Sequence, residues 1–169
     1  MIQKKVCMVG VFGTGKTSLV QRFVHSLFSE RYLSTVGVKI DRKPLEVDGA
    51  QLTLVLWDLA GRDGHEDITT SYIKGAHAIL YVADGTRKET CDQLPELRVL
   101  AREAAGEVPE VLALNKTDLT DQWKLGRREE EELAGTWDLV RTSAKTGTGV
   151  EEAFQRLGRA MLATREARS

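Results

Sequence analysis

Gly10-Val11-Phe12-Gly13-Thr14-Gly15-Lys16-Thr17 lies between a short apolar run, residues 6–9, and a segment in which apolar residues return every three or four positions, residues 16–25. A glycine, four variable residues, a second glycine, a lysine and a hydroxyl residue, placed where a strand gives way to a helix, form the pattern of a phosphate-binding loop. The glycines let backbone amides turn inward around a phosphate, and the helix start contributes the positive end of its dipole. Gly13, Thr14, Gly15, Lys16, Thr17 and Ser18 are therefore the candidate cradle, with Lys16 bridging terminal phosphates and the Thr17 hydroxyl offered to magnesium. The competing reading is an ordinary glycine-rich turn. From typical residue frequencies, the full pattern arises by chance in roughly one chain of this size in a few hundred.

The same alternation continues outward from this turn. Apolar runs of strand length recur at residues 52–57, 78–82 and 111–114, each followed by a polar or glycine-bearing turn and a helix-compatible segment. That pattern predicts an α/β domain with a mostly parallel sheet and helices on both faces. Asp48-Gly49-Ala50, between the runs 38–47 and 52–57, is a hairpin signal and predicts one antiparallel edge strand. A further strand near residues 137–140 brings the expected sheet to six strands. Helices are expected over residues 16–25, within 66–74, and over 88–104, 127–134 and 150–163. In an open α/β sheet ligands bind beyond the carboxyl ends of the strands, so chemistry is sought in the segments that follow them.

Asn115-Lys116-Thr117-Asp118 ends the run 111–114 and supplies a reader for a base. A carboxylate only accepts hydrogen bonds, which matches Asp118 to the paired donors on guanine N1 and N2; adenine presents no such pair. Asn-Lys-x-Asp is also a common surface-turn composition, and its distance along the chain from the phosphate loop argues for the base pocket. Thr142-Ser143-Ala144-Lys145 follows the last expected strand, with Ser143, Ala144 and Lys145 placed to turn backbone amides toward the guanine oxygen.

Together these motifs resemble those of the Ras superfamily of small GTPases, its Rab branch most closely, over a span from Lys4 to about Ala163. The resemblance implies a phosphate-loop NTPase fold that binds GTP or GDP with Mg2+ and hydrolyses GTP. It also implies protein effectors, exchange factors and hydrolysis activators that engage two switch segments. Phe28 would pack near the guanine ring, although a phenylalanine there could equally cap the helix core. Tyr32-Leu33-Ser34-Thr35-Val36-Gly37 resembles the first switch, where Thr35 would bind magnesium, sense the terminal phosphate and order its loop when GTP is present. Tyr32 would lie beside the nucleotide. Trp57-Asp58-Leu59-Ala60-Gly61 resembles the second switch, with Asp58 holding magnesium through water and the Gly61 amide meeting the terminal phosphate. Trp57 and residues 68–76 resemble the Rab version, though a tryptophan in that position is also simply core.

The chain departs from the family at two positions. Most Ras-like enzymes carry, directly after this second motif, a glutamine that orients the attacking water; here it is Arg62. An arginine is always protonated and accepts no hydrogen bond, so slow intrinsic hydrolysis is expected. Arg62 could instead fold over the phosphates and stabilise transition-state charge, or face solvent or a partner. The catalytic candidates are thus Lys16, Thr35, Gly61 and Arg62. Phe12 occupies a phosphate-loop position that is small in many relatives; its ring either crowds the space for water or points outward. His65 is a conceivable substitute for the water-orienting residue. An alternative class follows from residues 12 and 62: a GTP-binding scaffold with negligible turnover.

At 169 residues the chain fits one G domain over residues 1–169, long enough to bury a core without disulfides. Hydrophobic residues make up 41%, charged residues 29%, and the formal charge is −1, a balance that suggests neither disorder nor a nucleic-acid surface. Cys7 and Cys91 are the two cysteines, which argues against a disulfide framework and for a reducing, cytoplasmic setting. The terminus Arg165-Glu166-Ala167-Arg168-Ser169 shows no cysteine for a prenyl group, so no direct membrane anchor is visible, and peripheral recruitment would need partners or a missing tail. Glu129–Glu132, Trp123 and Trp137 read as a solvated helix face and packing residues.

Overall fold

The computed structural model describes residues 2–29, 38–59 and 66–168. Among them, β1 (Ile2–Val9) runs into α1 (Lys16–His25), β2 (Val38–Val47) turns back into β3 (Ala50–Leu59), and α2 (Glu66–Ile73) leads to β4 (Ala78–Asp84). The chain continues through α3 (Lys88–Asp92), α4 (Leu94–Ala105), β5 (Glu110–Asn115), a 3-10 turn (Thr120–Gln122), α5 (Arg127–Thr136), β6 (Leu139–Arg141) and α6 (Val150–Arg168).

The strands form one six-stranded sheet in the order β2-β3-β1-β4-β5-β6, with β2 antiparallel at one edge and every other pairing parallel. This is the α/β, phosphate-loop architecture expected from the sequence. The hairpin closes at Asp48 and Gly49, whose φ values of 48° and 84° are both positive. Two such residues in succession give the backbone twist that a two-residue hairpin needs, which is why an Asp-Gly pair occupies the turn.

Side chains alternate along each strand, so the sheet divides its apolar residues between two cores. Val6, Met8, Leu80, Val82, Val111 and Ala113 face α1 and α6, where Phe23 stacks on Phe154 with ring centroids 3.9 Å apart. Cys7, Val9, Ile79, Tyr81, Leu112 and Leu114 face the other layer, meeting Ile73, Leu94, Leu97 and Trp137. Strands covered on both faces read as near-continuous apolar runs, which made them visible in the sequence. Both cysteines are free and buried, and burial pushes the Cys7 thiol up to about 12.

One expectation needs correction. The helix expected over residues 88–104 is two helices, α3 and α4, that meet at Gln93. Pro95 lies in the first turn of α4. Proline has no amide hydrogen to give the residue 91 carbonyl and its ring clashes there, whereas the first turn of a new helix tolerates it. The last two helices extend beyond the expected bounds, to Thr136 and Arg168.

Candidate nucleotide site

The carboxyl ends of β1, β3, β4, β5 and β6 converge on the phosphate loop. Gly13 and Gly15 have φ values of 80° and 102°, a left-handed backbone that suits glycine. Close approach adds a second demand. A Cβ on Gly15 would stand 2.3 Å from Asn115 Nδ2, and one on Gly10 would stand 2.4 Å from the Val82 carbonyl oxygen. The loop therefore nests against β4 and β5 with no room for side chains at these points.

Lys16 is 6% exposed, and its Nζ donates to the carbonyls of Gly10 (3.0 Å) and Val11 (3.2 Å). Burial depresses its ammonium to about 8; Asp58 opposes the shift and Arg87 adds to it. A buried cation held by neutral acceptors is an electrostatic demand for an anion. Thr14 is fully buried, Ser18 is half-buried behind it on α1, and the Thr17 hydroxyl donates to Asp58 Oδ2 at 2.7 Å.

This hydroxyl and carboxylate suit magnesium, a hard cation that takes oxygen ligands, commonly one or two carboxylates together with substrate phosphates. Among the described residues no group of three or more His, Cys, Asp or Glu could cage a metal by itself. The donor set fits an ion shared with a phosphate substrate.

Residues 115–118 are bolted to this loop. Asn115, 1% exposed, donates from Nδ2 to the Thr14 carbonyl at 3.0 Å and accepts from the Thr142 hydroxyl at 3.0 Å. Lys116 donates to the Gly13 carbonyl at 3.0 Å. Its φ of 71° lies in the left-handed region, a strained choice for a lysine that the surrounding bonds impose. Ser143 donates to Asp118 Oδ1 at 2.7 Å and its oxygen accepts the Thr146 amide, so the carboxylate is held by the neighbouring motif. Arg22, from α1, donates to the carbonyls of Ala144 (2.7 Å) and Lys145, fixing that turn from the opposite side.

The structure thus brings Gly13, Thr14, Gly15, Lys16, Thr17, Ser18, Asp58, Asn115, Lys116, Asp118, Ser143, Ala144 and Lys145 to one edge. Phe28 follows α1 and is 37% exposed. Phe12 is 50% exposed. Tyr32, Thr35, Gly61, Arg62 and His65 lie outside the described residues.

Sequence reasoning passed over Asp84, Arg87 and Arg22. Asp84 ends β4, and the rule that ligands gather beyond strand ends could have found it. Arg22 carries no comparable signal.

The Ras family model matches residues 5–163. The chain belongs to the Ras family. Ras-related protein Rab-1 of Theileria annulata is 35% identical over 161 residues, covering 93% of this chain and 73% of that protein. Ras-related protein Rab-8B of Pongo abelii is 34% identical over 158 residues, covering 92% and 76%, and human Rab-8B matches to the same extent. These relatives place this Ras-family chain in the Rab-like branch. It is a small GTPase by family, and its reaction class is hydrolysis of GTP to GDP and phosphate. Ras-family proteins bind guanine nucleotide with magnesium and engage regulators and effectors. No helix among the described residues is long and apolar enough to cross a membrane.

Proposed function

We propose that this chain is a guanine-nucleotide switch, one G domain over residues 1–169, that hydrolyses GTP slowly and acts in traffic or polarity through partners that read its switch loops. The interlock of the base reader with the phosphate loop carries this reading: Asn115 to Thr14 and Lys116 to Gly13 across more than a hundred residues of chain. A ligand that fills both halves at once must carry a base at one end and phosphates at the other.

In this reading Asp118 accepts from the guanine donors, Ser143 holds Asp118, and the Ala144 and Lys145 segment faces the guanine oxygen. Phe28 flanks the ring. Lys16 and the amides of Gly13, Thr14 and Gly15 stabilise phosphate charge, which restores the full positive charge that burial opposes on Lys16. Thr17, Thr35 and Asp58 would hold magnesium, and Ser18 supports the phosphates beside Thr17. The ion supplies charge neutralisation on the phosphate oxygens. Tyr32 and Thr35 belong to the first switch, and Gly61 meets the terminal phosphate in the second.

The half-exposed Phe12 supports the outward reading of its ring, which leaves Arg62 as the reason for a low rate. Arg62 cannot accept a hydrogen bond from the attacking water, so it does not replace the glutamine that orients it in most Ras-like enzymes. A scaffold that binds GTP and hardly turns over is the second reading, favoured by the same residue. Single-turnover hydrolysis of radiolabelled GTP tests both. The switch reading expects slow, measurable hydrolysis that Arg62→Gln accelerates; no hydrolysis in either protein favours the scaffold, and a wild-type rate that Arg62→Gln leaves unchanged overturns the missing-glutamine account.

A further inference from the structure

Asp84, at the carboxyl end of β4, has a side chain 1% exposed and surrounded by donors. Oδ1 accepts the Thr86 amide at 2.8 Å and the Thr86 hydroxyl at 2.6 Å. Oδ2 receives Lys116 Nζ at 2.8 Å and Arg87 Nε at 3.2 Å. Burial raises the Asp84 carboxyl, but the hydrogen bonds from Lys116 and Thr86 outweigh it and hold the group below the usual carboxylate range. It is a fixed negative charge with two cations on one oxygen.

Each cation reaches onward to the phosphate loop. Lys116 takes the Gly13 carbonyl at 3.0 Å, and Arg87 Nη2 takes the Phe12 carbonyl at 2.7 Å. Consecutive carbonyls of the loop are thus gripped from a single carboxylate. A peptide unit is planar and trans, so a carbonyl drawn one way sends the next residue's amide hydrogen the other way. With the Phe12 carbonyl turned to Arg87, the Gly13 amide points away from Arg87. The geometry points to Arg87 as a positioning residue for the terminal phosphates, acting through the Phe12 carbonyl and the Gly13 amide without touching the ligand.

This rests on the guanine-nucleotide reading above. The shape of the side chain matters to the argument: the guanidinium fork spans carboxylate and carbonyl together, whereas an ammonium is a point donor. Arg87 also stands close enough to Lys16 to oppose its charge, so a variant that keeps the positive charge is needed to separate charge from the tether.

The test measures release of fluorescent GDP from the full chain, with competition by GMP, which lacks the terminal phosphate of GDP. Arg87→Ala is expected to release GDP roughly five- to tenfold faster, the range of one partly exposed charge-assisted hydrogen bond. Arg87→Lys should accelerate release nearly as much, and neither variant should change the concentration at which GMP competes once the weaker GDP affinity is allowed for. Unchanged release in Arg87→Ala overturns the proposal, as does a wild-type rate in Arg87→Lys, which would assign the effect to charge alone. Equal weakening of GDP and GMP would show general damage to the fold and also overturn it. Failure of the wild-type chain to bind fluorescent GDP at all would instead sink the guanine-nucleotide reading beneath it.

Discussion

The Ser143 hydroxyl donates to the Asp118 carboxylate at 2.7 Å, joining the turn after β6 to the turn after β5. One acceptor oxygen is thereby oriented by a residue 25 positions away, and the proposed guanine recognition would depend on both. Asp118→Asn replaces an acceptor-only group with one that also donates, and should weaken GTP about hundredfold or more while favouring xanthine nucleotide. Ser143→Ala should weaken guanine nucleotides by a smaller factor, about tenfold, without changing base preference. Calorimetry with GDP and XDP on both variants checks this; unchanged preference in Asp118→Asn would remove Asp118 from the base pocket.

Lys16 carries a pH signature. Its pKa is about 8 in the folded chain against an ordinary 10.5. Below about 8 both folded and unfolded chains hold the proton, and the cost of burying the cation is fully present; between about 8 and 10.5 the folded chain loses it first and the cost fades. Stability of nucleotide-stripped wild type relative to Lys16→Met should therefore rise with pH across that window, by at most on the order of 3 kcal/mol. Denaturant titrations from pH 7 to 10 measure it. Bound GDP should flatten the curve, because phosphate favours the charged lysine.

Thr17 and Asp58 meet at 2.7 Å where magnesium is expected. Thr17→Ala removes a hydroxyl ligand and leaves the carboxylate, so the magnesium concentration needed to retain GDP should rise roughly tenfold or more. Release rates measured against free magnesium would reveal it, and an unshifted midpoint would take Thr17 out of the ion's shell.

Gly15→Ala should damage the base pocket through the phosphate loop. The added methyl would fall on Asn115 Nδ2 at 2.3 Å, at a φ of 102° that side chains avoid. Displacing Asn115 breaks its bond to Thr14 and leaves buried polar groups unmatched, a loss of about 1–3 kcal/mol in folding stability. Thermal unfolding and GDP affinity should both fall.

What the sequence made legible was the chemistry that admits few residue types. A loop that wraps a phosphate needs glycines, lysine and a hydroxyl, and a guanine reader needs a carboxylate, so residues 10–18 and 115–118 announced themselves. The six strands were visible because each is apolar on both faces or adjoins a turn signal. What stayed hidden depends on approach through space. Nothing local to Arg87 says that it reaches the Phe12 carbonyl 75 residues away. Pro95 sat in plain view, yet the apolar repeat across residues 88–104 masked the break it causes. The left-handed Lys116 follows from bonds to Gly13 and Asp84 that no local propensity encodes.

Val38 and Leu59 face each other at one end of the β2–β3 ladder. The chain running back from Val38 toward residue 37 and the chain running on from Leu59 toward residue 60 are thus rooted on the same rung of adjacent strands. A slip of one rung would turn Leu52, Leu54 and Leu56 out of the core, where each is fully enclosed. The register of the hairpin therefore sets the separation between the two roots.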